Sequence, residues 1–282
     1  AVAVASLLCG IRSSHALAEA SCASSVLAGR RVLVTGGGRG IGKAMALMCA
    51  RGGARVAIVS RTRAELDQVV KESGDAEFPV FPVVADLTSE DDVDRAVAEV
   101  VERLGAVDLL ICNAGGASRK APLVEQSAQD FKSLLDLNVV ATFLVAKSVL
   151  RASLLKEGGD IIMVSSRAGK IGIPNMGPYC ASKFALEGMA AALSGELKGL
   201  GVNVNTISPG MVNTRSFPKP AGKSGLRSAE SVRDGLLVLL EQSQTAGATG
   251  QYIHVDELDA ALAKGKPPEA ALKSINEPSF EP

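Results

Sequence analysis

Arg31-Val-Leu-Val-Thr-Gly-Gly-Gly-Arg-Gly-Ile-Gly42 is the stretch that decides the fold, because a short apolar run leads directly into a glycine-rich turn. After the turn, apolar residues recur at helical spacing and predict a helix with one buried stripe: Ile41, Ala44, Met45, Met48 and Cys49. Glycines let the backbone approach a pyrophosphate, which sits among the unpaired N–H groups of a helix N-terminus. A merely tight turn is the alternative, but the position between a strand and a helix favours a nucleotide site.

The alternation of apolar runs and helical patterns continues to residue 256. It predicts seven strands, at 31–35, 56–59, 80–84, 108–112, 161–164, 202–207 and 252–255. Strands rich in Val and Ile that alternate with helices indicate a parallel sheet covered on both faces. Pro82, in the third of these strands, favours the sheet edge. We therefore expect an α/β fold: a single Rossmann-type, doubly wound, parallel seven-stranded sheet with helices on both faces.

The two ends of the chain differ from residues 29–256, which we predict to be one nucleotide-binding catalytic domain. Residues 1–28 are rich in Ala and Ser and contain one acidic residue, Glu19. This composition is compatible with an organelle transit peptide, its apolar start with a secretory one, and the whole with an unstructured leader. Without import, we expect a soluble cytoplasmic protein. Residues 257–282 hold a short helical pattern followed by prolines, which predicts an appendage outside the core.

Composition argues against several classes of function. The 30 basic and 30 acidic residues cancel, so no global field attracts nucleic acid or an anionic membrane. The five cysteines share no metal-ligand spacing and are accompanied by only two histidines, so we expect no metal site. Scattered single cysteines suit a reducing compartment. Unbroken apolar runs fall short of the roughly 18 residues of a membrane span, so we expect none.

The residues after the second predicted strand bear on the choice of coenzyme. An enzyme that selects NAD usually offers a carboxylate there to the ribose 2′-hydroxyl, but this strand ends at Ser60-Arg61. Arg61, together with Arg39 in the glycine loop, suits a 2′-phosphate instead. Ordinary surface arginines are the alternative. The pattern favours NADP(H) over NAD(H).

Tyr179-Cys-Ala-Ser-Lys183 places a phenol and an ammonium on one face of a predicted helix. The ordinary pKa of tyrosine is about 10, and a fixed cation nearby favours the phenolate and lowers that pKa. For this pattern alone, an exposed helix pair without function is the alternative. Asn138 is a further signal, because an amide on an otherwise apolar stripe is costly to bury unless it is hydrogen-bonded.

In their order, these motifs resemble the short-chain dehydrogenases/reductases in their compact single-domain form, over residues 30–256. The motifs are the Thr-Gly-x-x-x-Gly-x-Gly loop at 35–42, Asp86, Asn113-Ala114-Gly115, Asn138, Ser166, Tyr179 with Lys183, and Pro209-Gly210. The resemblance implies NADP(H)-dependent reduction of a carbonyl group (a ketone, aldehyde or 3-oxoacyl group) to an alcohol, or the reverse. It also implies a homodimer or homotetramer, assembled through the long helices predicted at 128–152 and 177–199.

The resemblance implies a role for each matching residue. Ser166 would hydrogen-bond the substrate oxygen, Tyr179 would transfer the proton, and Asn138 would hold a water in a proton relay. Lys183 would hold the nicotinamide ribose and depress the pKa of Tyr179. Coenzyme contacts are implied for Gly36, Arg39, Gly40, Ile41, Gly42, Ser60, Arg61, Asp86, Leu87, Asn113, Ala114, Gly115, Tyr179, Lys183, Pro209, Gly210, Val212 and Thr214.

The chain departs from the family pattern after the seventh strand. There the family often has Val-Asp-Gly-Gly, whereas this chain has Val255-Asp-Glu-Leu258. The C-terminal segment is therefore not interpreted by analogy. Among the residues that do match, Asp86 is expected to touch adenine, and Val212 and Thr214 are expected to fix the nicotinamide carboxamide.

Basic residues cluster in loops that follow the predicted strands: Arg119, Lys120, Arg167, Lys170, Arg215, Lys219, Lys223 and Arg227. Such loops line the ligand crevice of a parallel sheet. They suggest an anionic carbonyl substrate, for example an acyl thioester on a phosphopantetheine carrier. Ordinary solvated loop charge is the alternative.

Two functions of other classes are compatible with a dinucleotide-binding fold. One is a catalytically silent dinucleotide-binding regulator, against which the intact set of Asn138, Ser166, Tyr179 and Lys183 argues. The other is a sugar-nucleotide epimerase or dehydratase, which the glycine spacing and the absence of a sizeable second domain disfavour.

Overall fold

The computed structural model describes residues 26–74, 76–214 and 225–276. The strands are β1 Arg31–Thr35, β2 Arg55–Ser60, β3 Phe81–Val84, β4 Leu109–Cys112, β5 Gly159–Val164, β6 Val202–Ser208, β7 Gln251–His254 and β8 Leu272–Ser274. The main helices are α1 Gly40–Arg51, α2 Arg63–Glu72, α3 Glu90–Leu104, α4 Ala128–Glu157, α5 Gly177–Glu196, α6 Arg233–Ala246 and α7 Val255–Ala263.

The strands form one sheet in the order β3-β2-β1-β4-β5-β6-β7-β8. Strands β1 to β7 are parallel, and β8 pairs antiparallel with β7. The predicted doubly wound parallel sheet is confirmed, and Pro82 lies on the edge strand as expected. The strand count is eight instead of seven, because the three-residue β8 is too short to show an apolar pattern.

Two apolar layers cover the sheet, one on each face. One face packs against α1, α2, α6 and α7, and the other against α3, α4 and α5. Helix α3 shows how the sequence produces such a layer: Ser89 caps it by accepting from the backbone N–H of Asp92 (3.4 Å), and acidic residues fill its first turn. Its apolar stripe is buried, and Gly105, with φ 85°, ends it.

The segment after Asp256 is part of the core, contrary to the expectation of an appendage. In α7, Leu258 is fully buried, and Ile275 packs into the layer on the opposite face. At the other end of the chain, Val26 and Leu27 are buried within the residues assigned to the leader. Residues 1–25 and 277–282 lie outside the described residues, so a targeting role for the leader stays a prediction.

Helix α4 is the one helix of the described residues that is long and apolar enough to cross a membrane, because an 18-residue window within it has a mean hydropathy of 1.6. In the fold, 56% of that window is buried, which is the behaviour of a core helix packed on a sheet. Two of its segments, Asp136–Val140 and Leu150–Leu154, have π-helical hydrogen bonding. Such bulges are frequent at functional sites, and the first of them contains Asn138.

Candidate active site

The strand order reverses direction between β1 and β4, which lie side by side although two strands separate them in the sequence. In open parallel sheets, ligands bind in the crevice at the carboxyl ends of the strands at this switch point. The glycine loop follows β1, and Asn113-Ala114-Gly115 follows β4. The topology therefore brings both motifs to one crevice.

The glycine loop has the shape of a phosphate cradle. Gly36 and Gly40 have φ angles of 62° and 54°, which side chains rarely adopt. A Cβ on Gly36 would lie 2.9 Å from the Cα of Ala114. Helix α1 begins behind the loop without a side-chain cap and without an acidic residue in its first turn. Its open N–H groups therefore suit a pyrophosphate.

Hydrogen bonds join the ends of β1 and β4. The Thr35 hydroxyl accepts from the backbone N–H groups of Asn113 and Ala114, both at 3.0 Å. The Asn113 amide donates to the carbonyls of Thr35 (3.0 Å) and Gly36 (3.2 Å). These hydrogen bonds join the two motifs that the sequence predicts to bind the coenzyme. The Asn113 side chain holds the start of the glycine loop in place.

The crevice beyond β2 holds the residues expected to meet adenosine. Asp86 accepts from the backbone N–H (3.0 Å) and hydroxyl (2.8 Å) of Thr88, and these bonds, with a smaller effect of Arg61, lower the pKa of its carboxyl. Arg39 contacts Glu65 of α2 at 3.3 Å. An acidic residue that the sequence analysis did not predict at this site therefore borders the glycine loop. Both arginines are exposed, and because Arg39 is engaged by Glu65, Arg61 is the better of the two for a 2′-phosphate.

Three of the predicted catalytic residues meet at the carboxyl end of β5. Ser166 is the second residue after β5. Its hydroxyl is hydrogen-bonded to that of Tyr179, which lies in the first turn of α5. Lys183 lies one turn further, with its Nζ 5.8 Å from the centre of the Tyr179 ring. That Nζ donates to the carbonyl of Val164 at 2.9 Å. The Tyr-x-x-x-Lys spacing therefore places the two side chains next to each other on one face of α5.

The electrostatics of this group differ from the expectation. Burial raises the pKa of Tyr179, and the hydrogen bond from Ser166 acts in the opposite direction. Burial also lowers the pKa of Lys183 to about 8, against a smaller raising effect of Glu187. The prediction that Tyr179 has a depressed pKa is thus wrong for the protein alone, because desolvation of the phenol outweighs the opposing effect of its hydrogen bond with Ser166.

Asn138 is fully buried, and both polar atoms of its side chain are hydrogen-bonded. Its Oδ1 accepts from the N–H of Gly116 (2.8 Å), and its Nδ2 donates to the Gly116 carbonyl (3.1 Å) and to Ser182 Oγ (3.0 Å). The Asn138 carbonyl accepts from the Thr142 hydroxyl at 2.9 Å. The side chain therefore ties the loop after β4 to helix α5, and the water-holding role stays a prediction.

The turn after β6 reaches back to the glycine loop. Gly210 adopts φ 76°, and Val212 is buried. The Thr214 Cγ2 lies 3.3 Å from the position that a Cβ on Gly40 would occupy. The predicted carboxamide-binding residues therefore lie beside the phosphate cradle.

The basic cluster is mostly neutralised or internal. Arg119 pairs with Glu125 at 3.2 Å, and Lys170, whose side chain is 9% exposed, pairs with the buried Glu187 at the same distance. Arg227 pairs with two aspartates. Arg215, Lys219 and Lys223 lie outside the described residues. Among the described members of the cluster, Lys120 and Arg167 are exposed and have no ion pair.

Sequence reasoning missed three residues that support the site. Ser182 receives the Asn138 amide and donates to the Tyr179 carbonyl (2.8 Å). Glu65 pairs with Arg39, and Glu187 is a buried acid near Lys183. The spacing Lys183-x-x-x-Glu187 was the one available signal, since i and i+4 share a helix face.

Known proteins resemble this chain over most of its length. Residues 30–221 match the profile of the family described as short chain dehydrogenase. A 3-oxoacyl-(acyl-carrier-protein) reductase of Thermotoga maritima is 32% identical over 240 residues, covering 82% of this chain and 97% of the relative. An NADPH-dependent pterin aldehyde reductase of Arabidopsis thaliana is 32% identical over 237 residues, covering 83% and 96%. A crystal structure of a Shigella flexneri short chain dehydrogenase complexed with NADP superimposes with a TM-score of 0.75 at 29% identity, covering 83% and 99%.

Proposed function

Because the chain belongs to the short-chain dehydrogenase family, we propose that it is an NADP(H)-dependent oxidoreductase that reduces a carbonyl group to an alcohol, or catalyses the reverse. The observation that carries this proposal is the hydrogen-bonded pair of Ser166 and Tyr179, with Lys183 one helical turn away, at the carboxyl end of β5. A ketone, an aldehyde or a 3-oxoacyl group fits the reactions named for the relatives.

In the proposed mechanism, each side chain acts at a defined atom. Bound nicotinamide supplies or accepts the hydride. The Tyr179 hydroxyl gives its proton to the carbonyl oxygen during reduction, and the Ser166 hydroxyl donates a hydrogen bond to that oxygen. A raised pKa keeps Tyr179 protonated at neutral pH, which suits a proton donor. The charged form of Lys183 stabilises the phenolate that the transfer leaves behind.

The residues of the crevice fit a dinucleotide. The uncapped start of α1 and the glycines at 36 and 40 would hold the pyrophosphate, and Asp86 would lie at the adenine. The exposed guanidinium of Arg61 supports the choice of NADP(H), as do the names of two of the similar proteins. NAD(H) is the less favoured coenzyme.

Turnover by the purified full chain tests the proposal. We expect oxidation of NADPH, measured as loss of its absorbance, in a panel of ketones, aldehydes and 3-oxoacyl thioesters. NADH should give a lower kcat/KM than NADPH with the same substrate. A chain that binds NADPH but turns over none of the panel would favour the regulator, and a preference for NADH would reject the coenzyme assignment.

Arg61→Gln should raise the KM for NADPH by about 10- to 100-fold, the range expected for losing a hydrogen bond between two charged groups. The KM for NADH should change less than about twofold, because NADH has no 2′-phosphate. Arg63→Gln is the matched control, since this neighbouring arginine pairs with Asp67 (2.8 Å) on the exposed side of α2. Equal effects of the two substitutions on NADPH would contradict the assignment of Arg61.

Of the basic residues predicted to bind an anionic substrate, Lys120 and Arg167 are exposed and are not engaged in an ion pair among the described residues. We propose that a carboxylate or phosphate on the substrate contacts one of them. The KM for an anionic carbonyl compound should then rise with ionic strength, and a KM independent of salt would reject the contact.

We propose a homodimer or homotetramer assembled through α4 and α5. Both helices expose large apolar side chains on the described surface, among them Phe131 and Phe143 of α4 and Phe184 of α5. Exposed apolar groups of this size favour protein contacts. A monomeric mass by light scattering would reject the assembly.

The regulator alternative has no observation in its favour, because the proposed catalytic side chains Ser166, Tyr179 and Lys183 are present and lie close together.

A further inference from the structure

Arg227 is hydrogen-bonded through its backbone to the turn after β6. Its N–H donates to the carbonyl of Met211 at 2.9 Å, and Arg227 pairs with Val212 as an isolated parallel bridge. The N–H of Val212 in turn donates to the carbonyl of Gly210 at 3.1 Å. The position of Arg227 therefore fixes the backbone of the turn.

The side chain of Arg227 is held by helix α7. Its Nη1 contacts Asp256 Oδ1 at 2.9 Å and Asp259 Oδ2 at 2.5 Å, and its Nε donates to Ser231 Oγ at 3.0 Å. The arginine side chain is 17% exposed, and the two carboxylates are about half exposed. Hydrogen bonds between charged partners are roughly twice as strong as those between neutral groups.

Asp256 also packs directly on the turn. A Cβ on Gly210 would lie 2.6 Å from Asp256 Oδ1, so the carboxylate occupies the space next to the glycine. The N–H of Asp256 donates to His254 Nδ1 at 3.2 Å, which fixes the start of α7. The sequence departs from the Gly-Gly of the family pattern directly after Asp256, where helix α7 continues and supplies the second carboxylate, Asp259.

The far end of the turn reaches the phosphate cradle, where Thr214 lies against Gly40. A continuous path therefore runs from Asp256 and Asp259 through Arg227 to Val212 and Thr214. The ion pairs end at Arg227, the backbone N–H of Arg227 donates to the carbonyl of Met211, and the chain itself continues from Met211 to Thr214. Helix α7 is thus connected through Arg227 to the turn that carries the predicted carboxamide-binding residues.

We propose that Arg227, clamped by Asp256 and Asp259, is a positioning residue for the coenzyme that holds residues 211–214 against the glycine loop. This inference rests on the proposed function, in which that segment contacts the nicotinamide carboxamide. It assigns the C-terminal helix, which sequence reasoning left uninterpreted, to coenzyme binding.

Arg227→Ala tests the inference on the full chain with NADPH as the probe. We expect the Kd of NADPH, measured by its fluorescence, to rise about tenfold, in the range of energies carried by such couplings. In the protein without coenzyme, amide hydrogen exchange across residues 210–214 should accelerate. Arg227→Lys should recover only part of the affinity that Arg227→Ala loses. The ammonium keeps the positive charge, but it lacks the planar fork with which the guanidinium reaches two carboxylates and a hydroxyl.

The control is Lys273→Ala, which breaks the ion pair with Glu257 (3.0 Å) on the same helix without touching Arg227. It should leave both the Kd and the exchange unchanged. Where Arg227→Ala fails to fold, Asp259→Asn replaces it and should shift both measurements in the same direction. Unchanged Kd and exchange in Arg227→Ala would overturn the inference alone, whereas a wild-type chain that binds no NADPH would overturn the proposed function.

Discussion

Tyr179→Phe should lower kcat for carbonyl reduction by about 10²- to 10⁴-fold, the usual contribution of a positioned general acid. The substitution removes one hydroxyl, which is both the proposed proton donor and the partner of Ser166, and it keeps the ring beside Lys183. Binding of NADPH should therefore stay close to that of the wild type, and loss of the bond to Ser166 should lower the free energy of unfolding by no more than about 1 kcal/mol. Steady-state turnover, coenzyme fluorescence and thermal unfolding measure the three quantities separately.

Tyr252→Phe is the matched control, since the chain contains two tyrosines. Tyr252 is buried on β7, and its hydroxyl is hydrogen-bonded to Ser208. Its loss should cost about 1 kcal/mol of unfolding free energy while kcat stays within about threefold of the wild type. If Tyr179→Phe keeps kcat within tenfold of the wild type, the proton donor is a different group.

The sequence was sufficient for the fold wherever an element repeats a pattern. Seven strands with runs of Val and Ile and helices such as α3, with a cap and an apolar stripe, follow from local chemistry. Strand β8 does not, because three residues carry no period and its pairing with β7 depends on the path of the chain after Pro267-Pro268. Short edge elements are decided by tertiary contacts, which no local pattern encodes.

In the candidate site, too, the sequence predicts the features that depend on one element and not those that depend on the assembled fold. The glycine loop and the Tyr179–Lys183 pair depend on spacing within one element, so the sequence predicts them. The direction of the pKa shift of Tyr179 depends on burial, which comes from the assembled fold. The internal position of Lys170 depends on Glu187 and Ile275, which are distant in sequence, so a loop lysine that pattern reasoning assigns to the cleft lies inside the protein.

Glu187→Ala should lower the free energy of unfolding by about 3–5 kcal/mol, because it leaves the ammonium of Lys170 buried without a counter-ion. The two side chains are 6% and 9% exposed, with a separation of 3.2 Å. Lys170 Nζ also donates to the carbonyl of Ile275 (3.0 Å) and lies 4.7 Å from the centre of the Tyr252 ring. Urea unfolding at neutral pH measures the loss.

Lys147→Ala supplies the contrast that separates burial from distance. Lys147 and Glu90 are closer, at 2.6 Å, but their side chains are 30% and 55% exposed. Water screens such a pair, so its loss should cost no more than about 1 kcal/mol. A loss in Glu187→Ala as small as that in Lys147→Ala would mean that water reaches Lys170.

Replacing both charges separates the worth of the Lys170–Glu187 pair from the cost of leaving one charge alone. In Lys170→Met with Glu187→Leu neither charge of the pair remains, so the penalty of either single substitution should largely disappear. The carbonyl of Ile275 and the hydroxyl of Thr206, which donates to Glu187 Oε2 at 3.0 Å, each lose a partner, at about 1 kcal/mol apiece. The double variant should therefore be about 2 kcal/mol less stable than the wild type, well below the sum of the two single losses. Additive losses would show that the two side chains act independently and not as a pair.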